Sequence, residues 1–420
     1  MRLLRFFLIF IGTALLVVGS IFWLNRDTFV TVFQNRAAIL EGSEWVEKTY
    51  SLAGLIEYMA EQPQHAAFAS IPSQPGDDGI APAAGTDNTG VRYNDAGNGG
   101  DGRFEIRYQS GRILPAAGLS RLMLVITYAE RVGSGELDPD APVDIRRITP
   151  FYFPEADRRH LRNLENRFGE NGEPPVLKEL VRYMAQSNDP AVADYLFFRL
   201  GPDRVAETTY RISGGRIEPP VPQYGIRTMA QQFHPDTTTL SRHLDRLLES
   251  DREWFLTEAV ETARRQWEEP KPVEETSIRF FQDQRSLHNL FPGIEPDTFG
   301  SMLVDIWNGT LTGPETDAEI RSLIRRTADD RLLEPHISDY AAHFDERMGN
   351  MSGWTVATAQ KTGKIRAQVI ILHDLPAGLW FHMNSNFMIR DFHHRMLYDP
   401  TIRSRSFELL HHGGQARNLP

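Results

Sequence analysis

Three short stretches of this sequence carry side chains able to attack or hold a small molecule. Lys361-Thr362-Gly363 follows an apolar-alternating run and offers an ammonium and a hydroxyl. Ser187-Asn188-Asp189 falls in a polar break between two helical patterns and offers a hydroxyl, an amide and a carboxylate. Gly118-Leu119-Ser120-Arg121 opens a strongly apolar helical run. A serine hydroxyl with a lysine amine in reach is a pairing for nucleophilic acyl transfer, provided the amine has a depressed pKa and takes the proton.

Other chemistry is excluded or disfavoured. The chain has no cysteine, so disulfides, thiolate zinc sites, iron–sulfur clusters and a thiol nucleophile are ruled out. His393-His394 and His411-His412 are adjacent pairs. Helix neighbours point about 100° apart, so neither pair forms an i, i+4 metal face, and both read as surface histidines. Asp95, Asn98 and Asp101 lie in a Gly- and Asn-rich stretch, but their spacing fits no EF-hand and reads as a solvated loop. No metal or cofactor is expected. With 45 basic against 56 acidic residues and a net charge of −11, nucleic acid is not an expected partner.

These residues need a scaffold, and hydrophobic residues at 41% with charged residues at 24% are globular proportions. Residues 6–24 carry no charge and follow Arg2 and Arg5. As a helix they span roughly 28 Å, close to the hydrocarbon thickness of a bilayer. The positive-inside bias predicts a single-pass anchor in the cytoplasmic membrane, with the amino terminus inside and the main domain periplasmic. A cleaved signal peptide is the alternative, and Ile21-Phe22-Trp23-Leu24 does not resemble a small-x-small cleavage site.

Beyond a linker at 25–44, the pattern predicts one α+β domain over 45–410. Helical recurrence marks 45–61, 120–132, 176–184, 191–200 and 391–397. Strands are predicted at 66–71, 103–109, 355–360, 367–373 and 379–384. Pro376-Ala377-Gly378 is read as turning the last two strands into a hairpin, with His373 and His382 facing each other across it. Residues 72–102 form a flexible loop insertion and 203–350 an expanded helical segment where a partner protein is expected to dock. Glu253-Trp254-Phe255 and Trp267 read as a helix–helix contact, and 411–420 as a tail.

The order of the three stretches resembles the class A serine β-lactamases and the related penicillin-binding proteins. That family carries S-x-x-K, S-D-N and K-T-G in this sequence order. The resemblance implies an antiparallel sheet flanked by helices plus an all-helical lobe, with the site between them and a peptidoglycan-peptide or β-lactam-like ligand. It makes Ser187 and Lys361 catalytic, and Lys361, Thr362, Gly363 and Asp189 substrate-binding. Anchored on Pro115-Ala116-Ala117 or on Gly135-Glu136-Leu137, the S-x-x-K pair reads as Gly118 and Arg121. Glycine has no attacking atom, and arginine is a poor base because it stays protonated. Ser120 is an alternative nucleophile, but two helical residues turn it about 200° away, and Met123 stands where its lysine should be. The second motif is altered to S-N-D. The family's deacylating glutamate has only Glu218 as a counterpart, read as an exposed loop carboxylate.

The expectation is an exported, catalytically degenerate family member, a pseudoenzyme that acts by binding a ligand or partner. The alternatives are an active β-lactamase or D,D-peptidase with Ser120 or Ser187 displaced into the nucleophile's role, and a non-enzymatic envelope interaction protein.

Overall fold

The computed structural model describes residues 35–73, 93–94, 103–169, 174–232, 240–273, 278, 280–326 and 333–415. The expected anchor at 1–24, the first half of its linker, the Asp95–Asn98–Asp101 loop and the side chains of His411 and His412 lie outside the described residues. Within the described residues no helix is long and apolar enough to cross a membrane.

The main sheet has five antiparallel strands: β1 (Ala66–Pro72), β2 (Ile106–Tyr108), β3 (Ile337–Arg347), β4 (Asn350–Ala359) and β5 (Ile365–Leu372), in the order β2-β1-β5-β4-β3. Helices α1 (Arg36–Leu40), α2 (Ser43–Lys48) and α3 (Leu52–Glu61) precede β1. A 3-10 turn at Ala117–Arg121 runs into α4 (Leu122–Gly133). Then come α5 (Arg158–Phe168), α6 (Leu177–Ser187), α7 (Pro190–Leu200) and α8 (Pro202–Ser213). The segment expected to be expanded, 203–350, holds most of α8, then α9 (Gln223–Gln232), α10 (Leu240–Ser250), α11 (Arg252–Glu268), α12 (Phe281–Asn289), α13 (Pro296–Asn308) and α14 (Pro314–Ile324), and also strand β3. After β5 the chain closes with α15 (Ala377–Ser385), α16 (Met388–Tyr398) and α17 (Pro400–Gln415).

Strand side chains alternate between faces, and both faces of this sheet are covered. Ala67, Ala69, Val369 and Ile371 join the core shared with α4, α6, α7, α13 and α14, whereas Ala66, Phe68, Ile370 and Leu372 pack with α3, α15 and α16. Helix α4 is buried along Leu122–Ala129, as expected of a run apolar nearly all round. Helices α9 to α12 enclose a separate apolar cluster that includes Ile226, Leu244, Phe255 and Leu287. Phe255 is buried there, while Trp267 stacks on Phe198.

Two assignments change. Residues 379–384 are helical, inside α15, and not a strand. A short apolar run cannot separate helix from strand, and this one packs against α1 and α2. The fifth strand is instead β3, hidden in the sequence by its buried polar residues His343 and Asp345. His373 and His382 therefore do not face each other. His373 lies beside His65, and His382 bonds the Thr49 carbonyl.

Candidate functional site

The 3-10 turn brings Gly118 against edge strand β3. The Gly118 N–H donates to Asp345 Oδ2 at 2.7 Å. Arg347, on the same strand face two residues on, donates through Nε to both Asp345 oxygens at 3.0 Å. A Cβ built on Gly118 would stand 2.5 Å from Asp345 Oδ2 and 2.9 Å from Asn188 Oδ1. The space that a side chain at 118 would need is thus already filled by two others.

Arg121, one turn later, is buried. Its guanidinium donates to the Asn188 carbonyl at 2.8 Å, to Asn188 Oδ1 and to Gln223 Oε1 at 3.0 Å. Asn188 ends α6 in the left-handed conformation, which aims its side chain back at this group. Burial and then Arg347 pull the Arg121 guanidinium down to about 10, opposed by Asp345, Asp194 and Asp189, so it stays charged at neutral pH. Burial alone would push the Asp345 carboxyl up, but Arg347, Arg121 and His343 together hold it below the usual carboxylate range. Asp194 is pushed by burial up to about 7, although it accepts the N–H groups of Gln223 and Tyr224 at 2.8 and 2.7 Å.

His343 sits beside this group with its ring stacked on Trp354, centroids 6.1 Å apart. Burial drives its pKa down to about 3, against the pull of Asp345, so the imidazole is neutral. Its Nε2 has no hydrogen-bond partner. Beside Gly118 the space is a cavity of about 20 Å³ between Gly118, Leu122, Met184, Ile324, His343 and Trp354, and a separate cavity of about 220 Å³ is lined by Gln223, Arg227, His288 and Phe291. The first has room for about one water molecule. The expanded segment closes on the same region through Gln223 on Arg121, Phe291 facing the Arg347 guanidinium at 5.5 Å, and His288 on the Met348 carbonyl at 2.7 Å.

The chemistry of this arrangement follows. Position 118 has no attacking oxygen, and a charged guanidinium at 121 accepts no proton. A free backbone N–H at a helix start can stabilise an oxyanion, but the Gly118 N–H is already held by an internal carboxylate.

The residues expected from the sequence scatter. Lys361, Thr362 and Gly363 are exposed at the tip of the β4–β5 hairpin, where Gly363 has φ +66°. The register pairs Asp345 with Ser352 but Ile337 with Ala359, so the hairpin tip lies roughly 23 Å or more along the sheet from the Gly118 contact. The lysine motif therefore does not join Gly118, because it stands in a turn and not on the edge strand.

Ser187 Oγ donates to the Tyr183 carbonyl at 2.7 Å, a bond within its own helix. Asp189 is fully buried and caps α7 through the Val192 N–H at 3.1 Å, while Tyr152 donates to it at 2.8 Å. It is a structural cap and not a substrate contact. Ser120 is buried in the turn before α4.

Glu218 is half-buried, not an exposed loop carboxylate. It pairs with Arg252 at 2.6 Å and accepts the Gly293 N–H at 2.6 Å. His393 is likewise buried, with Nδ1 3.1 Å from Thr355 Oγ1, while His394 meets Tyr340 OH at 2.8 Å. The sequence reading missed Asp345, Arg347, His343 and Gln223, and it placed Asn188 in the S-N-D motif without a role of its own. One signal was available: His343, Asp345 and Arg347 recur with period two just before Met348-Gly349, the pattern of one strand face ahead of a turn.

Comparison with known proteins bears on this geometry. No curated protein matches the chain. Among solved structures, a beta-lactamase from Sphaerobacter thermophilus aligns at 11% identity and TM-score 0.46, covering 88% of this chain and 98% of its own. A beta-lactamase from Chitinophaga pinensis aligns at 12% identity and TM-score 0.44, covering 87% and 98%. PBP-A, solved as an acyl-enzyme complex with penicillin G, aligns at 11% identity and TM-score 0.40, covering 87% and 96%. The model of the beta-lactamase enzyme family matches residues 79–374, well over half of the sequence. With its five-stranded antiparallel sheet and many helices, the chain belongs to the beta-lactamase enzyme family.

Proposed function

We propose that this protein is an exported, membrane-anchored member of the family that has lost covalent chemistry and acts by binding. One observation carries the loss: Asp345 occupies the Gly118 N–H at 2.7 Å and leaves no room for a side chain at 118. The cavity of about 20 Å³ is too small for a β-lactam or a muropeptide. A partner is accordingly assigned to the outer surface, with the α9–α12 segment as the docking element. That segment has its own apolar cluster and covers the old floor through Gln223 and Phe291. The apolar, uncharged stretch 6–24 behind Arg2 and Arg5 supports the anchor and the periplasmic placement.

The test is incubation of the full chain with a fluorescent penicillin, followed by intact-mass and peptide analysis. No penicilloyl adduct is expected. An adduct on Ser120 or Ser187 sinks the proposal.

A further inference from the structure

Four large apolar side chains stand exposed around one helix. Tyr50 is 76%, Leu40 69%, Phe387 57% and Phe381 37% exposed. Tyr50 lies edge-on to His382 of α15 with centroids 4.7 Å apart. Leu40 ends α1, which packs against α15. Phe387 follows α15 directly. Helix α15 itself carries no Asp, Glu, Lys or Arg.

Phe387 is held at φ +52°, in the left-handed region that bulky residues rarely adopt. Strain of this kind persists where the surroundings enforce it, often at functional surfaces. Arg390 sits over the same ring at 5.6 Å.

The chain joins the domain at this face. Asn35, the first described residue, accepts the Phe281 N–H through Oδ1 at 2.8 Å, and the Phe281 ring lies 5.1 Å from Phe381. Before Asn35 only residues 25–34 separate this face from the uncharged stretch 6–24. Fully extended, that connection reaches at most roughly 36 Å.

We propose that the face formed by Leu40, Tyr50, Phe381 and Phe387 rests in the interfacial layer of the bilayer that holds the anchor. Tyrosine favours that layer and Phe and Leu bury at the headgroup–acyl boundary, and the short connection keeps the face within reach of it. The inference depends on the membrane-anchored reading.

The native chain has no cysteine, so single labels are clean. Tyr50→Cys, Phe381→Cys, Phe387→Cys and, as a control on α8, Tyr210→Cys are made in the full chain. Each is given a nitroxide and reconstituted in phosphatidylcholine vesicles. Co-flotation with the vesicles tests the anchor, and relaxation by oxygen against a water-soluble nickel chelate tests the face. The labels at 50, 381 and 387 are expected to be severalfold less accessible to the chelate, and more accessible to oxygen, than the label at 210. A chain that floats while all four labels meet the chelate equally overturns the face and spares the anchor. Labels shielded from both reagents mean that a protein covers the face, which also overturns the inference. A chain that fails to float removes the anchor and this inference with it.

Discussion

Asp345 on edge strand β3 and Gly118 in the turn before α4 are bonded, carboxylate to backbone N–H at 2.7 Å. The carboxylate is held there by Arg347, so admitting a side chain at 118 would break these bonds. The protein thus supplies its own anion to the Gly118 backbone N–H.

Restoring the family pair in sequence should therefore not restore it in space. Gly118→Ser with Arg121→Lys is expected to show no hydrolysis of a chromogenic cephalosporin above buffer. Forcing a side chain against Asp345 and Asn188 should cost about 1–3 kcal/mol in urea unfolding. Turnover by this double variant would contradict the packing argument.

Removing the carboxylate should be severe. Asp345→Ala leaves the Arg347 Nε–H without its carboxylate partner and the Gly118 N–H unsatisfied. Breaking a buried pair from one side costs about 3–5 kcal/mol. Asp345→Asn keeps an acceptor for Gly118 and should lose less. The check is the shift in urea midpoint at unchanged m-value.

Acid should destabilise the fold before Asp345 titrates. Burial holds His343 and His393 neutral, with pKa values down to about 3. Their contribution is full above the unfolded value of about 6.5 and is lost as pH falls below it, because the unfolded chain binds the protons first. Asp194, raised to about 7, has the opposite sign: its contribution is present at low pH and is lost as pH rises through 7. His288 and His373, held down to about 4 by burial, act in the same direction, so between pH 6 and 4 the buried imidazoles outweigh Asp194 and the more weakly raised Asp305 and Glu346. Stability should then fall by about 1.4 kcal/mol per pH unit for each net proton. His343→Phe, which keeps a ring against Trp354, should flatten that slope, whereas Asp194→Asn should steepen it. Urea unfolding at a series of pH values measures both.

The lysine motif should prove almost silent. Lys361→Ala, at an exposed hairpin tip, should change stability by no more than about 0.5 kcal/mol. Gly363→Ala should cost about 1 kcal/mol, because φ +66° favours glycine. Thermal midpoints of the two variants decide the matter.

Local patterns were legible in the sequence. The apolar run of α4, the break between α6 and α7, and strands β1, β4 and β5 all follow from periodicity and turn residues, which act over a few neighbours. So did the glycine and arginine at 118 and 121, whose types exclude a nucleophile and a neutral base wherever they sit. What faces them was not legible. Lys361-Thr362-Gly363 has the motif's letters but sits at a hairpin tip, while His343, Asp345 and Arg347 have none of those letters and line the edge strand beside Gly118. Only the tertiary structure decided between them. Which strand forms the edge of a sheet, and which residue on it meets a helix start more than two hundred positions earlier, depends on long-range pairing and on both faces of the sheet being covered. No short run of side chains encodes those quantities.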